Sequence, residues 1–232
     1  MINQNNAKNI RPPAVASMFY PVGAAELRKA VQNYLSNAGT EEDVSQLKKE
    51  EFAELRTLIV PHAGYIYSGK IAASAYRLLE QNKNQFKRVL LLGPAHRVLL
   101  EGAAFPEMDA FETPLGEITL DKELIEKILA EFSWISVSDK AHAEEHCLEV
   151  QLPFLQETLG EFKLLPLVVG DAKTELLAAL IQQFSKDHET LIVISTDLSH
   201  FHDYQTAREI DARTANAIEL LEQNRISTED AC

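Results

Sequence analysis

Residues 57–65 read TLIVPHAGY, a short apolar run that stops at Pro61 and delivers His62 into a glycine-containing turn. The run Thr57–Val60 does not alternate polar with apolar. It is therefore read as a strand buried on both faces, not as one side of a half-solvated antiparallel sheet. The pattern recurs along the chain. Val89–Leu92 runs into Gly93-Pro94-Ala95-His96, and Leu191–Ile194 runs into Ser195-Thr196-Asp197-Leu198-Ser199-His200. Leu164–Val169 is a fourth run of the same kind. Between them lie stretches with helical spacing: residues 24–36, Gly69–Leu79, Lys122–Glu131, Leu148–Leu159, Thr174–Ser185 and Gln205–Leu221. Buried strands separated by helices predict an α/β fold, with a mainly parallel central sheet flanked by helices on both faces. Ala103–Leu120, which holds a glycine and two prolines, reads as an irregular or antiparallel excursion. Residues 37–54 read as a surface loop or short helix, and residues 1–13 as an extended lead-in ending in Arg11-Pro12-Pro13.

No linker or repeat divides the chain, so residues 1–232 are read as one domain with a substantial core. With 35 acidic and 22 basic side chains the formal charge is −13. Non-specific nucleic-acid binding is excluded on that balance, because it needs Lys and Arg to displace phosphate counterions. No apolar stretch approaches the length of a membrane span, and the polar N-terminus has no leader-like core. Cys147 and Cys232 are too few for a disulfide framework, so a soluble protein of the reducing cytoplasm is expected.

Three strands each deliver a histidine close to their C-terminal ends, where open parallel sheets bind ligands. One interpretation makes Pro61-His62 and Pro94-Ala95-His96 simple tight turns. The other makes His62 and His96 metal ligands, since neutral imidazole is the commonest protein ligand for Zn, Cu and Fe. His200 sits in a polar cluster at a strand end and suits acid/base work near neutral pH, with Asp197 orienting an imidazole or carrying a proton itself. Ser195 and Ser199 are read as helix N-caps. His142-Ala-Glu-Glu-His146 has the spacing of a helical metal chelate but lacks the HExxH pattern. His142 is read as structural, whereas Glu145 and His146 are placed to line the cleft or hold a turn. Cys147 is expected in the core, and His188, His202 and Asp203 on the surface. Neither a glycine-rich nucleotide loop nor a GxSxG elbow is present, which leaves no sign of a nucleotide cofactor or a serine hydrolase.

Taken together, RPPAVASMFYP (11–21), PHAGYIYSG (61–69), GPAH (93–96), EHCLEVQLPFL (145–155) and STDLSH (195–200) resemble the Memo family. Its bacterial and archaeal members are named AmmeMemoRadiSam system protein B. The resemblance covers nearly the whole chain from residue 11. It implies the fold of class III extradiol ring-cleaving dioxygenases, which hold non-haem iron with two histidines and a carboxylate. Carried onto this sequence, it makes His62 and His96 metal ligands and His200 the acid/base residue, with Asp197 beside it in the pocket. Cys232 would be the third ligand, standing where the dioxygenases have their carboxylate. Family members continue past this cysteine with a glycine-rich segment and a final strand or helix, so residues 1–232 are expected to lack that closing segment. Arg97 stands where some members have a second adjacent histidine. A soft thiolate in place of a hard carboxylate favours iron or copper, with zinc possible. The implied function is a metal-dependent redox or dioxygenase-like enzyme acting on an unknown small molecule, in company with a radical-SAM protein. The alternatives are a non-catalytic metal- or ligand-binding module working through partners, and a zinc hydrolase.

Overall fold

A computed structural model describes residues 8–39, 55–82, 85–184, 186–227 and 230–232. The four apolar runs form the spine of a six-stranded sheet. They are β2 (Thr57–Val60), β3 (Arg88–Pro94), β8 (Lys163–Val169) and β9 (Thr190–Ser195). In space the order is β2-β9-β3-β8-β4-β7, with β4 (Ala103–Phe105) and β7 (Ile135–Val137) at one edge. The first four run parallel, as expected from their non-alternating apolar composition. The expectation that Thr57–Val60 is buried on both faces is corrected: β2 is an edge strand that alternates exposed and buried residues, with Ile59 43% exposed. β4 joins β8 antiparallel, and β7 runs parallel to β4. A small second sheet places β1 (Ile10–Arg11) beside the hairpin of β5 (Ala110–Thr113) and β6 (Gly116–Thr119). The excursion expected over Ala103–Leu120 thus supplies one strand antiparallel to β8, lying inside the edge strand β7, and a hairpin. Of the segment 37–54, residues 40–54 lie outside the described residues.

Helices flank the sheet. α1 (Ala24–Ser36) buries Leu27, Val31 and Leu35 along one stripe. That stripe packs against α2 (Tyr65–Tyr76) and a helix over Leu152–Leu159. Each such side chain contributes roughly 1.5–3 kcal/mol on leaving water. α3 (Lys122–Glu131) matches its expected bounds, and it is followed by the short α4 (Asp139–Ala143). The single helix expected over Leu148–Leu159 is divided. Glu149–Gln151 forms one 3-10 turn, and the α-helix proper, α5, spans Leu152–Leu159 with Pro153 in its first turn. A proline fits there because its missing N–H has no intrahelical partner to lose, whereas deeper in a helix its ring would clash. α6 (Thr174–Phe184) buries Leu180 and Phe184, and α7 (Tyr204–Glu219) follows β9. Among the described residues no helix is long and apolar enough to cross a membrane.

The strand order and register position the site. β9 lies between β2 and β3, with Val60 opposite Ser195 and Leu92 opposite Ile194. The carboxyl ends of these three strands are therefore level and adjacent, and the loops leaving them share one rim. At the end of β3, a Cβ on Gly93 would sit 2.6 Å from Cys147 Sγ. Only glycine lets the segment after α4 press against this strand end.

Candidate metal centre

Segments from three strand ends and the loop after α4 meet at the rim. His62, two residues beyond β2, is almost fully buried. Its backbone N–H donates to Asp197 Oδ1 at 2.6 Å, its Nδ1 faces Ser195 Oγ at 3.1 Å, and its Nε2 lies 3.4 Å from Cys232 Sγ. His96, beyond β3, is anchored twice on one carboxylate. Its backbone N–H donates to Glu145 Oε2 at 2.7 Å, and its Nδ1 lies 2.9 Å from Glu145 Oε1. The ligand atoms of His62, His96 and Cys232 all lie within 4.8 Å of one another. Ligands about 2.0–2.3 Å from a common ion are about 3.5 Å apart in tetrahedral geometry. The donor set therefore fits a metal with little rearrangement. The 3.4 Å sulfur–nitrogen contact already has the required span.

Cys232 is held from both sides of its backbone. Its N–H donates to Asp197 O at 3.1 Å, Thr196 Oγ1 donates to its carbonyl oxygen at 2.6 Å, and the Asp197 N–H points at Sγ from 3.3 Å. Burial pushes the thiol up, but its contacts with the His62 and His96 rings and the hydrogen bond from the Asp197 N–H outweigh it and bring the group down to about 5. His96 moves the opposite way. The Cys232 sulfur, then the Glu145 carboxylate, push it up to about 9 against the effect of burial. The two shifts run toward opposite charges on the sulfur and the imidazole. Glu145 itself is buried, which alone would raise it. Hydrogen bonds from His146 and His96 and from the backbone N–H groups of His96 and Cys147 hold it well below the usual carboxylate range.

His146 contributes a third imidazole. Its ring stacks on His96 with centroids 4.7 Å apart and meets His62 edge-on at 5.4 Å, with Phe19 behind at 4.8 Å. His96, Glu145 and His146 form a second group with ligand atoms in mutual reach. Asp197 stands between two histidines, its Oδ2 lying 3.9 Å from His62 Nε2 and 3.8 Å from His200 Nε2. The His200 side chain is 43% exposed and so stays in contact with solvent at the mouth. A cavity of about 370 Å³ opens beside Cys232, lined by Leu92, Val169, Leu177, Ile181 and Ile194.

The structure therefore brings His62, His96, Cys232, Asp197, His200, Glu145 and His146 together. It separates the two histidines of HAEEH. α4 ends at Ala143, and buried His142 turns inward to donate from Nε2 to Ala104 O at 2.9 Å. Burial pushes His142 down to about 4. Cys147 is buried, with its thiol on Pro94 O at 3.2 Å and pushed well up by burial. His188 lies on the surface beside Arg56. The expectation for Ser195 and Ser199 is corrected, because neither caps a helix. The N-cap of α7 is Asp203, which accepts from the N–H groups of Gln205 and Thr206. Ser195 is instead the last residue of β9 and buried in the site. Its position carried a signal, since Leu191, Val193 and Ser195 share one face of a buried strand, where a polar atom must find partners. Gln151 and the Arg11–Glu149 pair were likewise missed, being apolar-face positions occupied by polar residues.

Comparison with known proteins follows the same bounds. The family model described as Memo-like protein matches residues 11–229. A MEMO1 family protein of Aquifex aeolicus is 38% identical over 216 residues, covering 91% of this chain and 75% of that protein. One from Methanobrevibacter smithii is 34% identical over 229 residues, covering 95% of this chain and 80% of its own length. One from Ignicoccus hospitalis is 34% identical over 212 residues, with 87% and 73% covered.

Proposed function

The chain belongs to the Memo family, and from that premise we propose that it is a metal-dependent redox enzyme acting on a small molecule. His62, His96 and Cys232 hold iron or copper, and His200 with Asp197 handles protons. The observation that carries this reading is the meeting of two imidazoles and one thiol within 4.8 Å at the level ends of parallel strands. A soft thiolate with two imidazoles suits copper or thiolate-bound iron, and either ion, when bound, would supply electron-transfer chemistry and a position open to substrate.

The protein's own groups have separable tasks. Glu145 accepts from His96 Nδ1, which turns Nε2 toward Cys232 and raises its basicity as a ligand. Asp197 fixes the His62 backbone through Oδ1 and keeps Oδ2 toward His200. His200, half in solvent and 3.8 Å from Asp197 Oδ2, can take a proton from a molecule at the mouth and release it to water. The mostly apolar cavity beside Cys232 offers room for the apolar part of a small molecule next to the site.

The test is anaerobic purification followed by metal analysis and spectroscopy of the wild type and His62→Ala. The expected result is one equivalent of redox-active metal in the wild type and none in the variant. Absence of stoichiometric metal, or binding indifferent to the substitution, overturns the reading. His200→Ala should keep the metal and lose turnover. A variant that keeps both would favour a metal-binding module acting through partners.

A further inference from the structure

Ser195 and Gln151 lie outside the ligand set, yet a chain of one-way hydrogen bonds runs through them to His62. Gln151 bonds three groups: Nε2 lies 2.9 Å from Pro61 O and 2.8 Å from Ser195 Oγ, and Oε1 receives the Tyr76 hydroxyl at 3.0 Å. A backbone carbonyl can only accept. Pro61 O therefore fixes which end of the amide is the NH2 group, and its second N–H must go to Ser195 Oγ. Ser195 has one proton, and it is spent on Cys147 O at 2.7 Å, another group that can only accept. Its oxygen is left with lone pairs alone. His62 Nδ1, 3.1 Å away, must then be the donor.

We propose that Ser195, polarised by Gln151 and the Cys147 carbonyl, is the positioning residue that holds His62 with its proton on Nδ1, leaving Nε2 as the atom offered to a metal beside Cys232. All four groups are buried: His62, Ser195, Gln151 and Cys147. Water does not compete, and the polarity set by two carbonyls is transmitted without leakage. The arrangement differs from that at His96, where a carboxylate receives Nδ1. A neutral hydroxyl holds the ring without adding charge, so the two imidazoles are unequal: His96 is the stronger electron donor and His62 the weaker. The proposal rests on the metal reading above for its purpose, but not for its detection.

Long-range proton–nitrogen NMR of the metal-free wild type reads the tautomer directly. The expected result is a His62 ring with its proton on Nδ1 and Nε2 bare. A neutral ring protonated on Nε2 alone overturns the proposal. In Ser195→Ala the ring is expected to lose that preference, and affinity for cobalt(II), used as a spectroscopic probe, to fall about 10–100-fold. Ser195→Thr, which keeps the hydroxyl, is expected to restore both. Unchanged cobalt affinity in Ser195→Ala overturns the positioning role. A wild type that takes no cobalt overturns the metal reading, while the tautomer measurement still decides this one.

Discussion

Glu145 and Glu149 sit in one short segment and both carboxylates are buried, but they serve clusters of opposite character. Glu149 accepts from Arg11 Nη1 at 2.6 Å, from the N–H groups of Ala14 and Val15, and from the Tyr20 hydroxyl at 2.5 Å. Arg11 also donates from Nε to His142 O and from Nη2 to Glu145 O, and its guanidinium lies 4.9 Å from the Phe111 ring centroid. That cluster is closed, with each charged group met by a fixed partner. Glu145 is equally saturated, but its partner His96 turns a second nitrogen outward to meet His62 and Cys232. Framework and site are thus distinguishable even where both are built of buried charge. A network that satisfies itself locks the backbone, whereas one that ends in unsaturated donor atoms aimed at a common point is arranged for something else.

The largest expected effect falls on the closed cluster. Glu149→Ala strands the Arg11 charge and should cost about 3–5 kcal/mol in urea unfolding. An unchanged midpoint would break the comparison. His142 comes next, buried against the Phe111 ring with Nε2 on Ala104 O. Its folded pKa of about 4 lies below the ordinary 6.5. The stability it contributes is full above about pH 6.5 and is lost as pH falls toward about 4, because the unfolded chain binds the proton first. At about 1.36 kcal/mol per unit, the wild type should lose roughly 3 kcal/mol over that range relative to His142→Gln, which keeps a donor for Ala104 O. Parallel pH–stability curves would contradict it.

The open cluster should answer in binding more than in folding. Cys232→Ser replaces the soft ligand, and copper affinity measured against a competing chelator should drop at least about a hundredfold, or about 2.7 kcal/mol. Metal-free stability should move by no more than about 0.5 kcal/mol. If stability falls and binding does not, the two clusters have been assigned the wrong way round. The smallest effect belongs to His188→Ala at the surface, expected within about 0.5 kcal/mol of wild type and silent in metal binding.

Much of this is legible in the sequence alone. The non-alternating runs gave the parallel strands within a residue or two, and the histidines after β2, β3 and β9 marked the rim. What escaped has a common cause. Ser195, Gln151, Arg11 and Glu149 are polar residues in or beside apolar segments, and a pattern of hydrophobicity says that such residues are buried without saying by what they are satisfied. The N-cap assigned to Ser195 failed for that reason: a serine at a strand end can serve the next helix or the site behind the strand, and only its neighbours decide. The helix over Leu148–Leu159 was broken in the same way, because Glu149 and Gln151 are committed to distant partners and Pro153 opens the helix proper.

The sequence by itself determined the kind of sheet, the family and the residue types available for a metal, because each follows from local composition and spacing. Tertiary structure decided which of them meet. Strands read in order as β2, β3 and β9 give no hint that β9 inserts between the other two. That insertion brings Asp197 beside His62, Cys232 within reach of both imidazoles, and Ser195 beneath the first. Strand order is set by packing the whole chain, since local composition does not say which apolar run takes the sheet edge, as β2 does here. The site exists because one of those arrangements levels three strand ends along a single rim.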